Sequence, residues 1–205
     1  ANPNNPTGTF LPYDELKAFI GSLPNDVIVV LDEAYNEYLS PTLRVDTTSW
    51  LSEFDNLVIT RTFSKIYGMA GLRVGYAITS EANAARIQSH HMSFGGNLAG
   101  LAAAIASYDD TAFLSQSRAA VLEGRAMIMD AVGRAGLDAL PSQTNFVFVK
   151  VPDANALQGA MAQKGISIRG SYGEWKGYSR VSTGRLEDVS RYAAALPELA
   201  LKLWG

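Results

Sequence analysis

The chain contains no cysteine, which excludes disulfides, thiolate-bound metals and cysteine nucleophiles and is compatible with a reducing compartment. Its only two histidines, His90 and His91, cannot build a multi-histidine metal cage, and no metal site is expected. No stretch reaches the ~18 uninterrupted apolar residues that a membrane-spanning helix needs, so no membrane partner is expected. Basic side chains are also few. Seventeen Lys and Arg against twenty Asp and Glu leave a formal net charge of −3, without the basic excess of a chain that binds phosphate backbones, and nucleic acid is not an expected partner. There is no internal repeat and no low-complexity tract. What remains is 205 residues, 47% hydrophobic and 18% charged, the composition of an ordinary globular chain of one or two domains. The opening, Ala-Asn-Pro-Asn-Asn-Pro-Thr-Gly, has neither an initiator Met nor a charged leader before an apolar core. No targeting segment is read there, and a truncated beginning is expected.

Hydrophobic patterning predicts an α/β part followed by a smaller α+β part. A turn-rich opening, Asn2 to Gly8, leads to a helix around Tyr13 to Ser22 with Asp14 and Glu15 early, as a helix N-terminus prefers. Val27 to Leu31 is a continuous apolar run, predicting a parallel-sheet strand covered on both faces, and it ends in Asp32-Glu33. Leu57 to Thr60 predicts a second strand and Arg73 to Ile78 a third. From Glu81 to about Leu140 the pattern is helical and Ala-rich, with a long helix from Asp110 to Arg134 and with His90 and His91 on a solvated helix before the loop 92–97. Phe146 to Val149, Ile166 to Ile168 and Tyr178 to Thr183 predict short strands. Ala154 to Lys164 and Leu186 to Leu203 predict helices.

Ligands of open α/β sheets gather beyond the carboxyl ends of the strands, so the polar groups after Leu31 and after Thr60 are expected near one another. Each group has a bland reading of its own. Asn, Pro and Gly from Asn2 to Gly8 make turns, Asp32 could cap a helix, and a loop lysine such as Lys65 is commonly a solvated charge. The ordered series says more. Thr62-Phe63-Ser64-Lys65 sets two hydroxyls and an amine after one strand, 33 residues from the carboxylate of Asp32, about one strand–helix–strand unit. Arg73 follows the small residues Gly68, Ala70 and Gly71, which let backbone approach a ligand closely. An amine able to form a Schiff base, a carboxylate, hydroxyls and an arginine for a phosphate are together what pyridoxal 5'-phosphate requires.

Asn-Pro-x-Asn-Pro-Thr-Gly at Asn2, Asp-Glu-Ala-Tyr at Asp32, Thr-Phe-Ser-Lys at Thr62 and Gly-Leu-Arg-Val-Gly-Tyr at Gly71 occur in that order. In this the chain resembles the class I/II aminotransferases of pyridoxal-phosphate fold type I, most of all the histidinol-phosphate branch. The resemblance runs from Asn2 to the last helix. It implies a large, mostly parallel sheet domain, present here in part over residues 1–109, then a connecting helix and a small α+β domain over residues 110–205. It implies that Asn5, in a cis bond to Pro6, and Tyr35 meet the phenolic oxygen of pyridoxal phosphate, and that Asp32 pairs with its pyridine nitrogen. Lys65 would be the Schiff-base lysine and the base that moves the proton, with Asp32 and Tyr35 completing the catalytic set. Thr62, Ser64 and Arg73 would hold the phosphate.

In the C-terminal part, Arg180 in Tyr-Ser-Arg-Val-Ser-Thr-Gly matches the arginine that forks the substrate carboxylate. Asn145 and Arg169 match positions close to the substrate. The segment between Arg169 and Arg180, with Tyr172, Trp175 and Lys176, departs from the histidinol-phosphate branch and leaves the substrate open. The aromatic run Tyr172 to Tyr178 could recognise substrate or pack the small domain. Amino-acid and 2-oxo-acid substrates, a homodimer and a cytoplasmic location are implied. The same residues would serve a decarboxylase or lyase, or a non-catalytic domain that senses the cofactor. The family's N-terminal half supplies further strands and phosphate contacts, so the chain is expected to be part of a larger enzyme.

Overall fold

Tyr13–Gly21 form helix α1 where expected, with Asp14 and Glu15 in the first turn next to its positive end. This helix belongs to the first of two units in the computed structural model, which describes residues 1–93 and 95–205; Phe94 of the expected loop lies outside the described residues. The first unit comprises residues 1–3 and 11–115, and the second comprises residues 4–10 and 116–205.

In the first unit, β1 (Val29–Asp32), β2 (Leu57–Thr62) and β3 (Gly75–Thr79) form one sheet in that order. β1 and β2 run parallel, with Val29 opposite Leu57 and Asp32 opposite Thr60. β2 and β3 run antiparallel, with Arg61 opposite Tyr76 and Thr62 opposite Gly75. β2 supplies the core with Leu57, Val58 and Ile59, all buried, and Leu31, Tyr38, Leu39 and Trp50 are buried in the same unit. Helices α2 (Glu81–Ser89) and α3 (Leu98–Tyr108) follow β3, each capped by a side chain, Ser80 and Asn97 respectively.

Four expectations fail here. β1 starts two residues late because Val27 N–H is spent on Pro24 O in a turn. The strand is also open on one face rather than covered on both, with Val30 59% exposed. β3 starts two residues late because Arg73 stands in the left-handed region, φ 55°, at the end of a short 3-10 turn. His90 and His91 lie past the end of α2 rather than on a helix.

The second unit contains α4 from Gln116 onward, a helix that spans Thr111–Arg134 in full, and then β4 (Asp138–Ala139), β5 (Phe146–Lys150), α5 (Ala154–Gln163), β6 (Tyr178–Ser182) and α6 (Leu186–Trp204). The three strands make an antiparallel sheet with β5 central. β5 is buried at four consecutive positions, Phe146 to Val149, because helices and strands close over it. α6 buries Val189, Tyr192, Ala193, Leu196, Leu199 and Ala200, the helical spacing of an amphipathic stripe. Fully burying a side chain such as Leu196 is worth roughly 1.5–3 kcal/mol.

β4 breaks the helical run expected up to Leu140, pairing Ala139 with Val149. Ile166 to Ile168 do not form the expected strand. Gly165, at φ 70°, turns the chain so that Ile166 N–H bonds Met161 O and closes α5. Beyond that, among the described residues, this stretch joins β6 through one backbone bond, Arg169 N–H to Arg180 O at 3.3 Å.

Candidate active site

In the first unit the parallel register brings the ends of β1 and β2 side by side, and Glu33 N–H donates to Thr60 O at 2.9 Å as the last rung. Asp32 ends β1 with an exposed side chain whose Oδ1 accepts Ala34 N–H at 3.0 Å. Asn2 holds that end from the other direction. It is buried, donates its backbone N–H to Asp32 O at 2.9 Å, and its amide exchanges two hydrogen bonds with the backbone of Leu11. The sequence reading gave Asn2 no role beyond a turn.

Thr62 ends β2, and its hydroxyl accepts Ser64 N–H at 3.0 Å, tightening the turn that leads to Lys65. The Lys65 amine lies 5.2 Å from the centre of the Tyr35 ring, a cation–π contact. Phe63 N–H bonds Val74 O, which sets Arg73 beside the turn after β2. The Arg73 guanidinium donates to Ala70 O at 2.7 Å. Asp32, Tyr35, Thr62, Ser64, Lys65 and Arg73 thus gather at one end of this unit's sheet, as the sequence leads one to expect. Neither Asp32 nor Lys65 has an ion-pair partner among the described residues, so a carboxylate and an amine stand at adjoining strand ends with charge to spare.

On the opposite face of the same strand ends lies a group that the sequence reading missed. Glu33, fully buried, accepts Thr47 Oγ1–H at 2.7 Å and pairs with Arg61 through Nε and Nη2, both at 2.9 Å. Burial alone would push the Arg61 guanidinium down, but Glu33 and the Tyr76 hydroxyl outweigh it and hold its pKa above the usual value. Burial pushes the Tyr67 hydroxyl nearby up to about 12. No pattern in the sequence marks Glu33 apart from its place after Asp32.

The second unit holds the other expected residues. The opening turn keeps its shape through Asn4 O to Gly8 N–H, and the Asn5–Pro6 bond is cis, as the family resemblance implies. The Asn2–Pro3 bond is cis as well. Gly8, at φ 77°, packs so closely on Ser142 that a Cβ there would clash. Arg180 projects from β6 and donates Nη1–H to Asn5 Oδ1 at 2.8 Å. Its guanidinium lies 5.0 Å from the Phe146 ring and 5.2 Å from the Tyr172 ring, and Arg169 lies 5.0 Å from that same Tyr172 ring. Arg180 Nε is buried without a hydrogen-bond partner among the described residues. Asn145 follows the same strand system, and its backbone O accepts both Thr183 N–H and Thr183 Oγ1–H at 2.9 Å. The aromatic run divides in its packing. Tyr172 faces the arginines, whereas Trp175 and Tyr178 pack on Phe148, Tyr178 stacked at 4.7 Å.

The family described as aminotransferase class I and II matches residues 1–196. The histidinol-phosphate aminotransferase 1 of Dechloromonas aromatica is 45% identical over 200 residues, 96% of this chain and 54% of that protein. That of Thiobacillus denitrificans is 43% identical over 201 residues, 97% of this chain and 52% of that protein. The crystal structure of histidinol-phosphate aminotransferase from Sinorhizobium meliloti in complex with pyridoxal 5'-phosphate superposes with a TM-score of 0.88 at 34% identity, covering 98% of this chain and 56% of that one. The chain therefore spans about half the length of the curated relatives it matches. The expected fold class holds, as part of a fold type I α/β sheet domain together with an α+β unit. Among the described residues no helix is long and apolar enough to cross a membrane.

Proposed function

This chain belongs to the aminotransferase class I and II family, and we propose that it serves a pyridoxal-phosphate-dependent exchange of an amino group between an amino acid, or an amine resembling histidinol phosphate, and a 2-oxo acid. The observation that carries this reading is the carboxylate of Asp32 beside the strand end that leads to the amine of Lys65, neither with an ion-pair partner among the described residues, in a sheet of the family's fold. Pyridoxal 5'-phosphate, when bound, supplies an electron sink for the pair left at the substrate Cα when its proton leaves.

The residues of this chain supply the rest. The Lys65 amine would hold the cofactor's aldehyde carbon and would serve as the base that moves the substrate's Cα proton. Asp32 keeps the pyridine nitrogen protonated. Tyr35, beneath the Lys65 amine, and Asn5 donate to the phenolic oxygen. Thr62, Ser64 and Arg73 grip the phosphate, with Arg73 adding charge-assisted bonds. Arg180 forks the substrate carboxylate with its planar guanidinium, and Asn145 and Arg169 contact the remainder of the substrate. The names of the relatives favour histidinol phosphate as the amine. A homodimer acting in the cytoplasm completes the reading.

The test, made on a protein that carries these residues at the full length of the relatives, is to add pyridoxal phosphate, reduce with borohydride and map the labelled peptide, then titrate histidinol phosphate against other amines while following visible absorbance. Label on Lys65 and an absorbance change with histidinol phosphate are expected. Label on Lys150 or Lys176 overturns the assignment of Lys65, and absorbance that no amino donor alters overturns the activity.

A further inference from the structure

Asp32 and Glu33 are neighbours in sequence but, by strand alternation, project to opposite faces of the sheet. Asp32 is exposed and Glu33 is fully buried. The same alternation separates Arg61 from Thr62 on β2. Glu33 and Arg61 therefore join the two parallel strands from behind, at the rungs from which Asp32 and the turn to Lys65 emerge. The carboxylate uses both oxygens, Oε1 for Thr47 and Oε2 for Arg61, and Tyr76 stands opposite Arg61 on β3. One ion pair thus ties the ends of β1 and β2 where the candidate active site lies.

We propose that the buried Glu33–Arg61 pair, braced by Thr47, is a positioning device that fixes the separation between Asp32 and the Thr62–Lys65 turn. The proposal rests on the reading that this end of the sheet holds pyridoxal phosphate. Three considerations support it. Buried ion pairs add little to stability compared with well-packed apolar side chains of the same volume, so stability alone is a weak reason for one here. The pair has directional bonds on both partners, which specify a separation where apolar contact would allow sliding. The chain beyond it is short: Asp32 is the residue before Glu33, and Lys65 is four residues after Arg61. A shift at the pair reaches the site before it can be absorbed.

The experiment separates position from stability. Truncating Glu33 alone strands the Arg61 charge and tests folding only, so the informative variant replaces the whole device with apolar groups: Thr47→Val, Glu33→Leu and Arg61→Met together. Its thermal midpoint is expected to return to within about 4 °C of the wild type. Its affinity for pyridoxal phosphate, read by absorbance and fluorescence, is expected to fall by about tenfold or more, as for other groups that orient a binding shell. The pH at which the bound cofactor changes its visible spectrum should move with it. Independently of cofactor, the Ala34 and Ser64 amides, which bond to Asp32 and Thr62, should exchange with deuterium faster while β3 amides do not.

Unchanged affinity, spectrum and amide exchange in a stable triple variant overturn the proposal and leave the pair a structural one. If the triple variant does not fold, Glu33→Gln replaces it, since it keeps the shape and one acceptor oxygen. Wild-type affinity and exchange in that variant overturn the proposal too. A folded wild type of the relatives' full length that binds no pyridoxal phosphate overturns the functional reading and the cofactor role of the pair with it. The amide exchange then still reports whether the pair holds the strand ends.

Discussion

Arg180 and Asn5 are 175 residues apart in sequence, and the Arg180 guanidinium donates to the Asn5 side-chain oxygen at 2.8 Å. The bond uses one nitrogen of the fork, and the two aromatic rings of Phe146 and Tyr172 lie close to the guanidinium. The group is thereby oriented before any substrate arrives, and Nε remains unpartnered among the described residues.

Arg180→Ala should weaken amino acids and 2-oxo acids alike, by roughly 2–5 kcal/mol in transition-state stabilisation, the cost of truncating one side of a buried charged pair. Amines that carry neither a carboxylate nor a phosphate should scarcely notice the change. The measurement is kcat/KM for both substrate types. Equal losses for both would make Arg180 a structural residue.

Asp32→Asn should leave the cofactor bound and slow proton removal by about a hundredfold or more, because an amide does not hold the proton on the pyridine nitrogen. A single-turnover half-reaction reads this step without product release. A near-normal rate would remove Asp32 from the chemistry. Asn2 offers a contrast. Its backbone N–H holds Asp32 O while its side-chain amide holds the backbone of Leu11, so Asn2→Ala, which deletes the two Leu11 bonds that anchor this segment, should lower the melting temperature as well as the rate.

Lys65 and Asp32 were legible in the sequence because each sits in a run of residue types that chemistry requires together, directly after an apolar strand pattern. Glu33 was not, since a carboxylate at the end of a strand carries no mark of the partner that will bury with it. Arg61 stands 28 residues away, and only the parallel register brings the two together. The same limit explains Ile166 to Ile168. Their alternation suits a strand, but hydrogen bonding at the end of α5 uses the first of them, a competition that local pattern does not display. The openness of β1 is a further case, because an apolar run reports the need for cover and not where the cover comes from.

Glu37 gives a pH prediction. Burial, its largest influence, raises its carboxyl above the ordinary 4.5, and repulsion from Glu33 adds to this. An acid raised in the folded state binds its proton more tightly there than in the unfolded chain. Stability therefore falls as pH climbs from the unfolded value through the raised one. Glu37→Gln, which removes the ionisation, should be close to neutral at about pH 4 and stabilising at about pH 8, read from urea unfolding at the two pH values. A variant equally stable relative to wild type at both would show that the charged form suffers no penalty.

The hydroxyl of Tyr192 on α6 is buried in the core of the second unit and has no hydrogen-bond partner among the described residues. Burial drives its ionisation far above the usual tyrosine range, so the group is a neutral donor with nothing to donate to. An unmet polar group in an apolar core is a penalty that the folded state bears and the unfolded chain, in water, does not. The ring itself is a different matter, since it fills space among Ile128, Val189 and Leu196 and must stay. Tyr192→Phe keeps the ring and deletes only the hydroxyl. The folded state should gain up to about 1 kcal/mol, a rise of about 2–4 °C in melting temperature for a chain of this size. Tyr192→Ala should instead destabilise by about 3–5 kcal/mol, as for other buried aromatic truncations. Thermal and urea unfolding of the two variants test the argument together. A loss of more than about 1 kcal/mol in the phenylalanine variant would show that the hydroxyl is satisfied, by a buried water for example, and that its bond supports the fold.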